Sequence, residues 1–76
     1  MATINDRVAS RVRAVLAERG ISHSDFYLAV GLSDRTGARR LSGASSWTTD
    51  ELAAAARFLS VPLSSLVSEH RAAEVA

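Results

Sequence analysis

Gly20, Gly31 and Gly43 cut the first part of the chain into short stretches, and each stretch opens on residues that favour a helix start. This punctuation constrains the fold more than any other feature. A glycine just past a helical run is the usual stop, and a hydroxyl or acid before the next run is the usual start. Ser22-His23-Ser24-Asp25 is such a start. It predicts a helix over 23–30 with Phe26 and Val30 turned inward. Leu32-Ser33 then leaves about three residues of connection before a helix over 34–42, which Ser33 caps. Helices this short and this tightly joined cannot lie antiparallel, so they must cross steeply, as in a helix-turn-helix.

The flanking segments are helical as well. Ile4, Val8, Val12, Val15 and Leu16 share one helix face, and their spacing predicts a first helix over 4–19. Thr3 with Asp6 is a capping-box variant at its start. After the loop Ala44-Ser45-Ser46-Trp47, the sequence Thr48-Thr49-Asp50-Glu51 is a full capping box. It predicts a helix over 49–59 with Leu52, Ala55, Ala56 and Leu59 on one stripe. Its four consecutive alanines allow a neighbouring helix to come close. Pro62 suits a first helical turn because it has no N–H to lose there. A last helix over 62–70 is expected to bury Leu63, Leu66 and Val67, with 71–76 as a tail. No segment alternates as a strand would. The expectation is an all-α, compact five-helix domain spanning 1–76 as one unit, with its core over about 4–70.

Composition narrows the function. At 76 residues a chain buries only about 60% of its unfolded surface, so it needs a mostly local fold. There is no cysteine, which removes disulfides and thiolate metal sites. His23 and His70 are far apart, so neither a metal nor any other cofactor is expected. The longest apolar run, 52–56, falls far below the roughly 18–20 residues of a membrane span. The N-terminus lacks the apolar stretch of a signal peptide. No membrane partner and no small-molecule ligand are expected, and a soluble intracellular protein is the default. Net charge is only +1, yet all nine basic residues are arginine and they are unevenly placed. Residues 35–43 carry three arginines and no acid, whereas 50–76 carry four acids and two arginines. Such polarity suits an anionic partner at one face.

Taken together, Gly20-Ile21-Ser22, Phe26, Gly31-Leu32-Ser33, Thr36 and Leu41-Ser42-Gly43 resemble the helix-turn-helix of the Cro and phage-repressor (XRE-type) family. Trp47-Thr48-x-Asp50-Glu51-Leu52 and Phe58-Leu59-Ser60-Val61-Pro62-Leu63-x2-Leu66 are similar to that family's fourth and fifth helices. Arg39-Arg40-Leu41-Ser42-Gly43 is similar to variants common in actinobacteria and their phages. The resemblance spans residues 5–68 and rests on joint spacing rather than on any single tetrapeptide.

The resemblance implies a repressor-like fold and a sequence-specific regulator of transcription that binds double-stranded DNA. The second helix of the motif would enter the major groove with its N-terminal residues at base edges. Asp34, Arg35, Thr36, Ala38 and Arg39 match the family's base-reading positions. Ser22, His23, Ser24, Ser33, Arg40, Ser42, Ser45 and Ser46 fall where phosphate contacts are expected, at helix starts or on the flank. A homodimer is expected, because one module alone offers a small interface. Leu63, Leu66, Val67 and Val75 are its candidate surface, with the core as their alternative place.

Three positions depart from the family pattern. His23 stands where glutamine is usual, Tyr27 where alanine is usual, and Gly37 where a branched aliphatic is usual. Glycine inside a helix costs about 1 kcal/mol relative to alanine. In the family the last two positions face each other, so the Tyr27 ring is expected to fill the volume that Gly37 vacates.

Other readings compete with each of these. An arginine-rich helix is often only a solvated face, and Asp34 can be a plain first-turn acid. Trp47 fits a core anchor better than a base-stacking residue. Ser22, His23 and Asp25 are too close in sequence to form a catalytic triad, and no paired carboxylates or Gly-rich phosphate loop occur. An enzyme is therefore not expected. The alternative function is a protein-interaction module on the same scaffold, antitoxin-like or a phage factor binding a host protein. A DNA-bending architectural or excision factor ranks lower because no wedge residue stands out.

Overall fold

A computed structural model describes residues 3–67, and within them every regular element is a helix, without strands. Five helices follow one another: α1 (Ile4–Arg19), α2 (His23–Val30), α3 (Asp34–Ser42), α4 (Thr49–Leu59) and α5 (Leu63–Val67). None is long and apolar enough to cross a membrane.

Local capping accounts for these limits. The Thr3 hydroxyl accepts from the Asp6 N–H at 3.1 Å, and the Asp6 carboxylate accepts from the Thr3 N–H at 3.1 Å. Thr48 and Glu51 form the same reciprocal pair at the start of α4. Ser22 and Ser33 cap α2 and α3 through single hydroxyl acceptors. Each such cap is worth about 1 kcal/mol.

The first four helices also end alike. In each, an N–H just past the end donates to a carbonyl five residues back: Ile21 to Leu16, Leu32 to Tyr27, Ala44 to Arg39 and Val61 to Ala56. This closure requires a left-handed residue. Glycine supplies it after α1, α2 and α3, but Ser60 supplies it after α4, at φ 56°.

The core joins all five helices. α1 lies against α3 and α5, and α4 lies against α2 and α5. Val8, Val12, Leu16, Phe26, Leu41, Ala55, Leu59 and Leu66 are buried between them. Phe26 is a hub: its ring centroid lies 6.0 Å from Phe58, 6.3 Å from Trp47 and 6.3 Å from Tyr27. Trp47 is buried, as an anchor for the α3–α4 loop.

Several apolar positions differ from the sequence expectation. Ile4 is half exposed at 51%, because it opens α1 beyond the reach of the neighbouring helices. Val15, Val30 and Leu52 are only partly buried at the rim, while Ala9, outside the expected stripe, has no exposed surface. Leu66 belongs to the core and not to a free surface, since α5 lays it against α1 and α4. Leu63, expected inside, is 40% exposed at the first position of α5, one turn before the buried Leu66. Val67 is partly buried against the core. Val75, like 68–74 and 76, lies outside the described residues.

Tyr27 and Gly37 meet as the volume argument requires. A Cβ placed on Gly37 would sit 2.7 Å from the Tyr27 Cγ and closer still to Cδ1 and Cε1. The ring therefore occupies the space of the missing side chain, and both residues are buried. Burial raises the Tyr27 phenol pKa, and the charge of Asp34 raises it further.

Two stability predictions follow from this packing. Gly37→Val should destabilise by about 1–3 kcal/mol through overpacking, and Tyr27→Ala by a cavity loss of about 3–5 kcal/mol. In urea unfolding, the double variant should cost less than the sum of the two; additivity would show that they do not share one volume. Ser60→Gly should raise stability by up to about 1 kcal/mol by relieving the left-handed serine, read as a Tm increase of a few degrees.

Candidate nucleic-acid interface

The turn Gly31-Leu32-Ser33 connects α2 to α3, and α3 is short enough that its exposed side is one narrow stripe. Asp34, Arg35, Ala38, Arg39 and Ser42 are exposed on it, while Gly37 and Leu41 face the core. Of the expected base-reading residues, only Thr36 is partly withdrawn; its N–H donates to the Ser33 hydroxyl at 3.2 Å. Arg35 and Arg39 stand one turn apart. Among the described residues neither guanidinium has a hydrogen-bond or ion-pair partner.

Other arginines are committed to the fold. Arg40, expected as a phosphate arm, is a clamp between α3 and α4. Its Nε donates to Glu51 Oε1 at 2.6 Å, its Nη2 to Glu51 Oε2 at 3.3 Å and its Nη1 to the Ser45 hydroxyl at 2.6 Å. Only 16% of its side chain is exposed. Burial pushes the Glu51 carboxyl up, but the Arg40 hydrogen bond and charge, with the Thr48 N–H, outweigh it and hold the group below its ordinary value. Arg13 donates to the Leu41 carbonyl and Arg19 to the Leu59 carbonyl, so α1 holds the C-terminal ends of α3 and α4. A cation there also suits the helix dipole.

The expected phosphate-binding hydroxyls divide by how they are used. Ser22, Ser33, Ser45 and Ser46 act as acceptors, from Asp25 N–H, Thr36 N–H, Arg40 and Asn5 respectively. Each keeps its own O–H proton to donate. Ser42 differs, since its hydroxyl donates to the Arg39 carbonyl at 3.1 Å and accepts from the Ala44 N–H. Its proton is spent inside the fold. Ser24 is exposed in the first turn of α2. His23, also exposed, has its ring 6.3 Å from that of Tyr27. With Arg13, Ala38, Leu41 and Ser42 these two rings line a shallow hollow beside α3.

The α3–α4 loop is pinned from α1 as well. The Asn5 side-chain amide donates to the Ser46 hydroxyl at 3.0 Å. The Asp6 carboxylate comes so close to Gly43 that a Cβ there would sit 2.7 Å from its Oδ1. Hydrogen bonds from the Thr3 backbone and hydroxyl lower the Asp6 pKa. Sequence reasoning missed Arg13, Arg19 and Asn5 as fold-holding residues, and no local spacing signals them. Among the described residues no acid, histidine or cysteine cluster could hold a metal ion. Set against known proteins, the chain matches no family model, no curated protein and no solved structure.

Because the Arg40–Glu51 pair is largely buried, Arg40→Met should destabilise by about 1–3 kcal/mol, leaving a carboxylate without its partner. The Glu51 pKa is depressed in the folded state. Its contribution is therefore present above the ordinary glutamate value and is lost as pH falls through the lower folded value. Thermal unfolding from pH 7 down to pH 3 should show a steeper acid loss in the parent chain than in Arg40→Met. Parallel pH profiles would mean the pair is not coupled.

Proposed function

We propose that the chain is a sequence-specific double-stranded-DNA-binding regulator of transcription of the Cro and phage-repressor kind. It places α3 in the major groove and acts without a catalytic step. The observation that carries this reading is the division of the arginines. Among the described residues Arg13, Arg19 and Arg40 are bonded into the fold, while Arg35 and Arg39 stand uncommitted on the exposed stripe of α3, which we read as the second helix of a helix-turn-helix. Two cations one turn apart on a helix about 10–12 Å wide match the major groove in charge and in size. Donor hydroxyls at the starts of α2 and α3, Ser22 and Ser33, supply flanking phosphate contacts, as do exposed Ser24 and His23. One such module buries roughly 600–1,000 Å². A homodimer on two half-sites is therefore part of the proposal, with Leu63 and Val67 its remaining described surface candidates. A regulator of this kind works on the nucleoid in the cytoplasm of a bacterial cell.

A protein-interaction module is the second reading, and Leu28 favours it. That side chain is 81% exposed on α2, although a single exposed leucine is common on soluble proteins.

Titration of the full chain by fluorescence anisotropy against the promoter DNA beside its own gene separates the two. The expected result is saturable binding whose log–log salt slope is about −0.9 per phosphate contact. Arg35→Ala and Arg39→Ala should each weaken it without loss of helix content by circular dichroism. Salt-insensitive or unsaturable binding would overturn the DNA reading and favour a protein partner.

A further inference from the structure

We propose that Tyr27 and Gly37 are positioning residues: their contact sets the tilt of α3, and through it this buried pair governs which duplex sequences the exposed stripe of α3 fits. The proposal rests on the reading of α3 as a groove helix, and it names two residues off that stripe as determinants of its selectivity. Both are positions where the chain departs from the pattern it resembles, so the contact is this chain's own.

There is no room for a side chain at position 37. A Cβ there would sit 2.7 Å from the Tyr27 Cγ, against the roughly 3.5–4.0 Å of an ordinary carbon contact. The ring cannot give way at that atom. Cγ is bonded to the Tyr27 Cβ, so turning the ring about χ2 leaves Cγ where it is. Another χ1 well would carry the ring out of its seat, where Tyr27 is only 7% exposed. Nor is α2 free to retreat, because Phe26 anchors it against Trp47 and Phe58. A methyl at position 37 must therefore push α3 outward by about 1 Å.

The helix cannot shift as a whole, because its C-terminal end is tied down. Arg13 donates to the Leu41 carbonyl, Arg40 is held by Glu51 and Ser45, and Gly43 lies against Asp6. Its other end is joined to α2 only by the turn at 31–33. Under a push at position 37 the helix pivots about the tied end. Leu41 lies four residues beyond Gly37, about 6 Å along the axis, so a shift of about 1 Å is a tilt on the order of 10°. Asp34 and Arg35, farthest from the pivot, move most. Binding groups must be held within about 0.5 Å and 10–20° of their working geometry. Such a tilt removes no group from the stripe, yet it changes what the stripe fits.

Selection from a randomised duplex library with the full parent chain gives its preferred site. The quantity to compare is the ratio of Kd for a scrambled duplex to Kd for that site, which does not depend on the fraction of chain that is folded. Tyr27→Phe keeps the ring in its seat and should keep the parent's ratio. Gly37→Ala should lower the ratio roughly tenfold or more, the scale of discrimination at one base pair. It should also lower Tm, although alanine is the better helix former. Residual dipolar couplings should show α3 tilted against α2 by on the order of 10°. If Gly37→Ala does not fold, the exchange variant Tyr27→Ala/Gly37→Val takes its place, since it keeps the bulk but moves it to the other helix; its ratio and tilt should also differ from the parent's. An unchanged ratio in the folded variant, or a changed ratio without a tilt, would overturn the positioning role and leave DNA binding intact. Absence of saturable binding of the parent to any duplex at low salt would overturn the DNA-binding reading itself, and the proposal with it.

Discussion

The seat of the Tyr27 ring on the bare backbone of Gly37 is the contact on which the rest of the arrangement depends. It brings α2 and α3 together at a distance no side chain on Gly37 would permit. That closeness offsets the weakness of a helix with glycine at its middle. α3 is only nine residues long, and an isolated helix of that length is marginal in water. It persists because Ser33 caps its start, Gly43 closes its end and Tyr27 fills its inner face.

Arginine carries two opposite duties in this small domain. Some guanidiniums replace missing core by tying helix ends and loops together: Arg13 at Leu41, Arg19 at Leu59 and Arg40 across Glu51 and Ser45. A guanidinium suits this work because it keeps its charge and spreads several donors in one plane. The others on α3 have no partner among the described residues and form a cationic stripe. A net charge of +1 conceals this division. The charge available to a partner depends on which cations the fold has already used, and a sum over the sequence cannot register that.

The legible part of the fold was the local part. The limits of α1 through α4 follow from caps three residues apart and from stops at Gly20, Gly31 and Gly43, and each lies where that chemistry puts it. The stop after α4 used a serine in place of glycine, which a search for glycine passes over. The candidate site was legible in outline, since Asp34, Arg35, Ala38 and Arg39 share an exposed side. Arg40 was not. Its neighbour Arg39 has the same local context, yet one turns to Glu51, eleven residues away, and the other to solvent. Leu63 and Leu66 likewise look alike in a helical pattern, and only the docking of α5 on α1 and α4 separates the exposed one from the buried one.

By itself the sequence determined where helices start and stop, because capping and turn chemistry act within five residues along the chain. That Tyr27 and Gly37 share one volume was what the family resemblance implied, and the structure places the ring there. Only the tertiary structure decided which arginines are spent and which leucines are hidden. It also decided which hydroxyls keep a proton to give. Those outcomes depend on partners as far as forty-one residues away, as with Asn5 and Ser46, and such partners meet only when packing brings the helices together.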